Sequence, residues 1–182
     1  MTRRILAAML LLASSLSLIA ATQAPAKPQS VPRTGFRAEF LASLADVEEK
    51  ITELATATPQ EKMSWRPAEG VRSFGEVYMH VAGGNYFLAS FVGGKTPADV
   101  PKDLEKIADK QKMLAELKRS FDHLRKIALA QSEAGLEKKV RLFGSTTSYR
   151  GVYVTMLNHH HEHLGQGIAY ARMNGITPPW SR

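Results

Sequence analysis

Cysteine is absent from all 182 residues. The chain therefore forms no disulfide, offers no thiolate to a metal and carries no thiol nucleophile of its own. Tryptophan is scarce, with two residues, and no basic block with interleaved aromatics occurs, which argues against nucleic acid as a partner. The net charge is +7, yet the cations are mixed with acids, as in Lys102, Asp103, Glu105, Lys106, Asp109 and Lys110. That mixture is the pattern of a solvated helix face rather than of a polyanion-binding surface. Hydrophobic residues make up 44% of the chain, enough to fill one core without crosslinks.

The first residues combine Arg3 and Arg4, an apolar and small run from Ile5 to Ala21, and small residues around Ala24, Pro25 and Ala26. This is the composition of a cleavable signal peptide over 1–26, and it predicts an exported protein, periplasmic or secreted. Were the leader retained, it would be the chain's membrane attachment. Cleavage removes Arg3 and Arg4 and lowers the charge to +5. Residues 27–35, rich in Pro, Gln, Ser and Lys, read as a flexible linker, and the domain follows over 36–182.

Within that domain the apolar residues recur at spacings of three and four. Phe36, Phe40, Leu41, Leu44, Val47, Ile51 and Leu54 mark a first helix, which Pro59 ends. Trp65, Arg66 and Pro67 form a turn anchored by one large aromatic. Ser73 with Glu76 is in capping-box register for a second helix bearing Phe74, Val77, Val81, Leu88 and Phe91. Gly83 and Gly84 interrupt this helix, and two such glycines require a reason, such as close approach of a neighbour. A charged third helix is predicted from about Lys102 to Ala130, with Leu104, Ile107, Leu117, Phe121 and Leu124 inward. Residues 139–148 suit a short extended piece. A fourth helix then runs from near Arg150 to Asn174, where Gly175, Pro178 and Pro179 stop it. The fold class is thus all-α, a four-helix bundle.

Four of the six histidines lie at 159, 160, 161 and 163. At about 100° per residue, His159 and His163 are only about 40° apart on adjacent turns, so their rings can meet at one ion. On this wheel the pair shares its side with Val152, Met156, Gln166 and Tyr170 and faces inward. His160 flanks it, and His161 points away. Functional metals usually take three protein ligands. The 19 residues after His163 contain no Asp, Glu, His or Cys, so the third must come from upstream. His80, sharing its helix face with Val77, Gly84, Phe87 and Phe91, is placed to reach a core; His123, beside Asp122, reads as a surface residue. The same missing acids count against the HxxEH pattern at 159–163 being that of the inverted zinc peptidases, which need a downstream carboxylate ligand.

Trp65-Arg66-Pro67, SFGEVYMHVAGGNYF at 73–87 and HHHEHLGQGIAYARMNGITPP at 159–179 together resemble the DinB/YfiT-like superfamily of metal-binding four-helix proteins over about 36–180. The resemblance implies a metal held by His80, His159 and His163, with His160 the local alternative to His159. It also implies a divalent ion, zinc or nickel, and a homodimer in many members; histidine-only ligation by itself suits iron and copper as well. Some relatives are thiol-dependent S-transferases, in which case a small thiol co-substrate would supply the nucleophile this chain lacks. The alternatives are a metal-dependent hydrolase, with Glu162 as base, or a non-catalytic envelope metal-binding protein. Glu162 and Gln166 are the residues expected to support the ligands from behind.

Overall fold

A computed structural model describes residues 31–181. The expected signal peptide, and the linker up to residue 30, lie outside the described residues. Four long helices carry the structure: α1 (Phe36–Ala57), α2 (Phe74–Ser90), α3 (Lys110–Ala130) and α4 (Tyr149–Met173). Between α3 and α4 stands one antiparallel hairpin, β1 (Lys139–Leu142) with β2 (Ser145–Ser148), so the architecture is helical with a small two-stranded sheet. The extended piece expected at 139–148 is this hairpin.

Each helix forms where its sequence periodicity and its caps agree. α1 buries Phe40, Leu44, Val47, Ile51 and Leu54, the predicted stripe, while Phe36 and Leu41 are only partly covered. Ser73 opens α2 with a full capping box, its hydroxyl accepting from the Glu76 amide while the Glu76 carboxylate accepts from the Ser73 amide at 2.7 Å. Arg66 spans that carboxylate and the Val71 carbonyl, which ties the Trp65-Arg66-Pro67 turn to the helix start. Trp65 then packs edge-on against Tyr170 of α4, with ring centroids 5.4 Å apart. α4 is capped by Ser148 and ends at Asn174 and Gly175, the latter at φ 69°, where the left-handed turn favours glycine.

α3 differs from expectation at its start. The helix does not run from Lys102; Leu104–Lys106 form a separate 3-10 turn packed on α2, and α3 begins at Lys110, capped by the Asp109 carboxylate on the Lys112 amide. Gln60 stabilises the break by donating to the Ala108 carbonyl and accepting from the Lys110 amide. The interruption frees Glu105 to lie beside α2.

The helices pack as a ring: α1 contacts α3 and α4, and so does α2. α1 is therefore diagonal to α2, and α3 to α4. Each buried side chain of leucine or phenylalanine size contributes about 1.5–3 kcal/mol, and one continuous core joins all four helices. Among the described residues, no helix is long and apolar enough to cross a membrane.

Candidate metal centre

His80 comes from the second turn of α2, and His159 and His163 from successive turns of α4. The structure brings these three together. Their ring centroids are 5.2 Å apart for 80 and 159, 4.7 Å for 80 and 163, and 4.6 Å for 159 and 163. One ring nitrogen from each lies within 4.8 Å of the others, close enough to converge on a single ion. The close approach depends on Gly84. A Cβ there would sit 2.3 Å from Cε1 of His159, so only a glycine lets that ring lie against α2. Gly83 meets nothing nearer than Leu104 Cδ1 at 3.7 Å, and the structure gives no comparable reason for it.

Two of the rings are oriented from behind. His80 donates from Nδ1 to Glu105 at 3.1 Å, and both oxygens of that carboxylate accept from Arg72 Nε, each at 3.1 Å. His163 donates from Nδ1 to the Gln166 carbonyl oxygen at 2.9 Å; the Gln166 amide donates to Tyr170 Oη, which donates to the Arg72 backbone carbonyl. With the proton on Nδ1 in both rings, each Nε2 keeps its lone pair, and Arg72 closes both chains, one by side chain and one by backbone. His80 has its pKa lowered by desolvation first and by Arg72 second, so its contact with Glu105 is a hydrogen bond from a neutral ring rather than an ion pair. Burial, then the two neighbouring histidines, pushes His159 down to about 4. Its Nδ1 is buried with no hydrogen-bond partner. Three imidazoles at one place, with the His159 Nδ1 buried and unpartnered, fit a divalent cation, which accepts lone pairs from ring nitrogens.

The α4 wheel is rotated from the expected one. His160 is the innermost histidine, fully buried against Phe121 with Nε2 bonded to Asn85, whereas His159 and His163 stand at the partly exposed edge between α2 and α4. His80 likewise sits half-buried at that edge rather than in the core, and its neighbour Phe87 is exposed. His160 is thus committed to a polar chain through Asn85 to Ser120 and the Leu117 carbonyl. His161 is exposed, as expected. His123 is not a free surface residue: it lies beside Tyr86 with Nε2 buried.

Burial, with smaller contributions from His159, His161 and His163, lowers the His160 pKa to about 3. The unfolded chain takes up a proton there below about pH 6.5 while the folded chain does not. Stability is full above that pH and declines as the pH falls toward 3. From His160 alone, metal-free protein is expected to lose about 1.4 kcal/mol between pH 7.5 and 5.5, read as a lower urea midpoint. An unchanged midpoint would show that this ring is solvated.

Gln166 stands behind His163 at hydrogen-bond distance. Glu162 does not: it is exposed, makes no hydrogen bond to a clustered histidine, and stands at the rim of a cavity of about 390 Å³ that opens beside His80 and His159. Larger clefts of 490 and 520 Å³ lie toward Gln60 and toward Arg66, and none of the three histidines lines either. Glu105, Arg72 and Tyr170 are the members whose roles sequence reasoning missed. Glu105 read as one acid in a mixed-charge helix, and no local spacing links it to His80, 25 positions earlier.

A family model described as the DinB superfamily matches residues 43–166. Among solved structures, a DinB-like protein from Bacillus cereus ATCC 10987 aligns with a TM-score of 0.68 at 19% identity, covering 77% of this chain and 93% of that one. A DinB-like protein from Bacillus subtilis aligns with a TM-score of 0.62, also at 19% identity, covering 76% and 93%. At such identity the likeness is one of fold. Comparison with curated proteins finds no match.

Proposed function

The chain belongs to the DinB superfamily, and from that premise we propose that it is an exported protein that binds one divalent metal ion through His80, His159 and His163 and uses it in thiol S-transfer. The convergence of one ring nitrogen from each of the three histidines within 4.8 Å carries the reading. Imidazole-only ligation suits zinc or nickel first, with iron or copper also compatible. Three protein ligands leave a coordination position open, which is the arrangement of catalytic rather than structural zinc. When bound, such an ion acts as a Lewis acid that lowers the pKa of a coordinated thiol or water.

The chain's own residues then do the following. Glu105 and Gln166 hold the His80 and His163 rings with Nε2 forward. Arg72 holds Glu105 in place, its Nε donating to both carboxylate oxygens. Glu162 is exposed and lines the cavity that His80 and His159 also line, within reach of a ligand bound there. The nucleophilic sulfur must arrive as a small-molecule thiol, because the chain has no cysteine. The leader sequence at 1–26 supports a location outside the cytoplasm, which N-terminal sequencing of the mature protein from the cell envelope would test.

Incubating metal-loaded protein with small thiols and an electrophile such as 1-chloro-2,4-dinitrobenzene tests the activity. Multiple turnover that is lost in His163→Ala is the expected result. Stoichiometric metal binding without turnover across thiols would overturn the transferase reading in favour of a non-catalytic metal-binding protein. A supporting prediction concerns the carboxylate behind His80. Glu105→Ala is expected to weaken metal affinity by about 10- to 100-fold, measured by competition with a chelating dye, because His80 loses its orienting acceptor.

A further inference from the structure

The turn of the β1–β2 hairpin consists of Phe143 and Gly144, at φ 48° and 82°. Two positive φ values in a two-residue loop are the type I′ pattern, for which Asn-Gly is the usual solution. A phenylalanine there is strained, since an aromatic side chain rarely adopts left-handed backbone. It is also 72% exposed, so core packing does not repay the strain. What Phe143 does touch is Phe87, itself 53% exposed, with the rings stacked at 6.2 Å. Phe91 extends the row, edge-on to Phe87 at 5.2 Å. Phe87 stands two turns along α2 from His80.

The 390 Å³ cavity is lined by this aromatic pair together with Leu88 and Thr155 and, from the histidine cluster, His80 and His159, with Glu162 also at it. Its volume is that of a small-molecule site, and an apolar cavity of about 150 Å³ already holds benzene. The concavity, with two clustered histidines opening into it, favours a small ligand over a flat protein partner. We propose that Phe87 and the strained hairpin tip Phe143 form the specificity wall of this site, so that it selects small molecules carrying an aromatic or bulky apolar group next to the atom presented to the three histidines. This rests on the metal-binding reading above. The hairpin, inserted between α3 and α4, delivers the wall from outside the bundle, and its tip can be altered without disturbing the ligand set.

Two hydroxamates separate the parts, since benzohydroxamate and acetohydroxamate share a metal-binding head and differ in phenyl against methyl. Titrated into the cobalt(II)-loaded full chain and followed by visible absorption, benzohydroxamate is expected to bind about tenfold more tightly. Phe143→Gly, which suits the left-handed backbone, and Phe87→Ala are each expected to bring that preference to within about twofold, while acetohydroxamate and cobalt affinities stay unchanged. Equal affinities in the wild type, or a preference that survives both substitutions, would overturn the proposal. So would a dimer, measured by light scattering, that dissociates in Phe143→Gly with the ligand preference intact, because the tip would then be an interface between copies. If the wild type takes up no cobalt, the metal reading falls by itself. The apolar wall is then read by titrating benzyl alcohol into metal-free protein: amide shifts at Leu88 and Thr155 that vanish in Phe143→Gly support it, and their absence in the wild type defeats it.

Discussion

His163→Ala is expected to reduce affinity for a divalent ion on the order of 10³-fold or more, because two imidazoles alone make a weak site. No other histidine can replace it. His160 lies one turn before it, but its Nε2 is bonded to Asn85 and its ring is packed on Phe121 in the core. His161 is exposed on the far side. The loss extends beyond one ligand, since Gln166 and Tyr170 would then orient nothing. His163 is only partly buried, so the variant should fold, and circular dichroism of the metal-free protein provides the check. His161→Ala is the matched control and is expected to bind as the wild type does. Cobalt titration of the three proteins decides the matter: wild-type affinity in His163→Ala would remove this residue from the site.

The second large effect comes from a residue with no side chain. Gly84→Ala places a methyl group 2.3 Å from the His159 ring, far inside van der Waals contact. The helices cannot simply separate, because Val81, Ala82, Val152 and Met156 on α2 and α4 are fully buried in a continuous core. The ring must turn away, and the site loses His159. A decrease in metal affinity of about 10²-fold or more is expected, with the metal-free fold intact. The adjacent glycine gives the opposite result. Gly83→Ala meets Leu104 Cδ1 only at an ordinary 3.7 Å, so it gains helix propensity of about 1 kcal/mol and should raise the melting temperature by about 2–4 °C without altering metal affinity. If both substitutions left metal binding unchanged, the close approach of His159 to α2 would not be what glycine at 84 serves.

Much of this molecule is readable along the chain. The α1 stripe, the Ser73 capping box, the Gly175 stop and the His159–His163 spacing all depend on residues within a turn or two of each other, where helix geometry alone sets the relation. The α3 start differs from expectation because Leu104 and Ile107 keep an apolar spacing through a segment whose backbone is broken by Asp109 and Gln60. One of those two partners is 50 positions away. The bearing of α4 differs from expectation for a related reason. Periodicity gives the angle between His159, His160 and His163 but not which of them faces the bundle axis, and that bearing is set by where α2 and α3 lie.

What the sequence by itself determined is a candidate set of donors: three imidazoles placed on two helices, with no cysteine to compete. What only the tertiary structure decided is how those donors are aimed. Arg72, Glu105 and Tyr170 reach the histidines across loops and helix contacts, Gly84 admits the His159 ring, and Phe143 comes in on a hairpin. These relations are distances between side chains far apart in sequence. They come into being when burial of the common core fixes the helices against one another, and no local spacing encodes them.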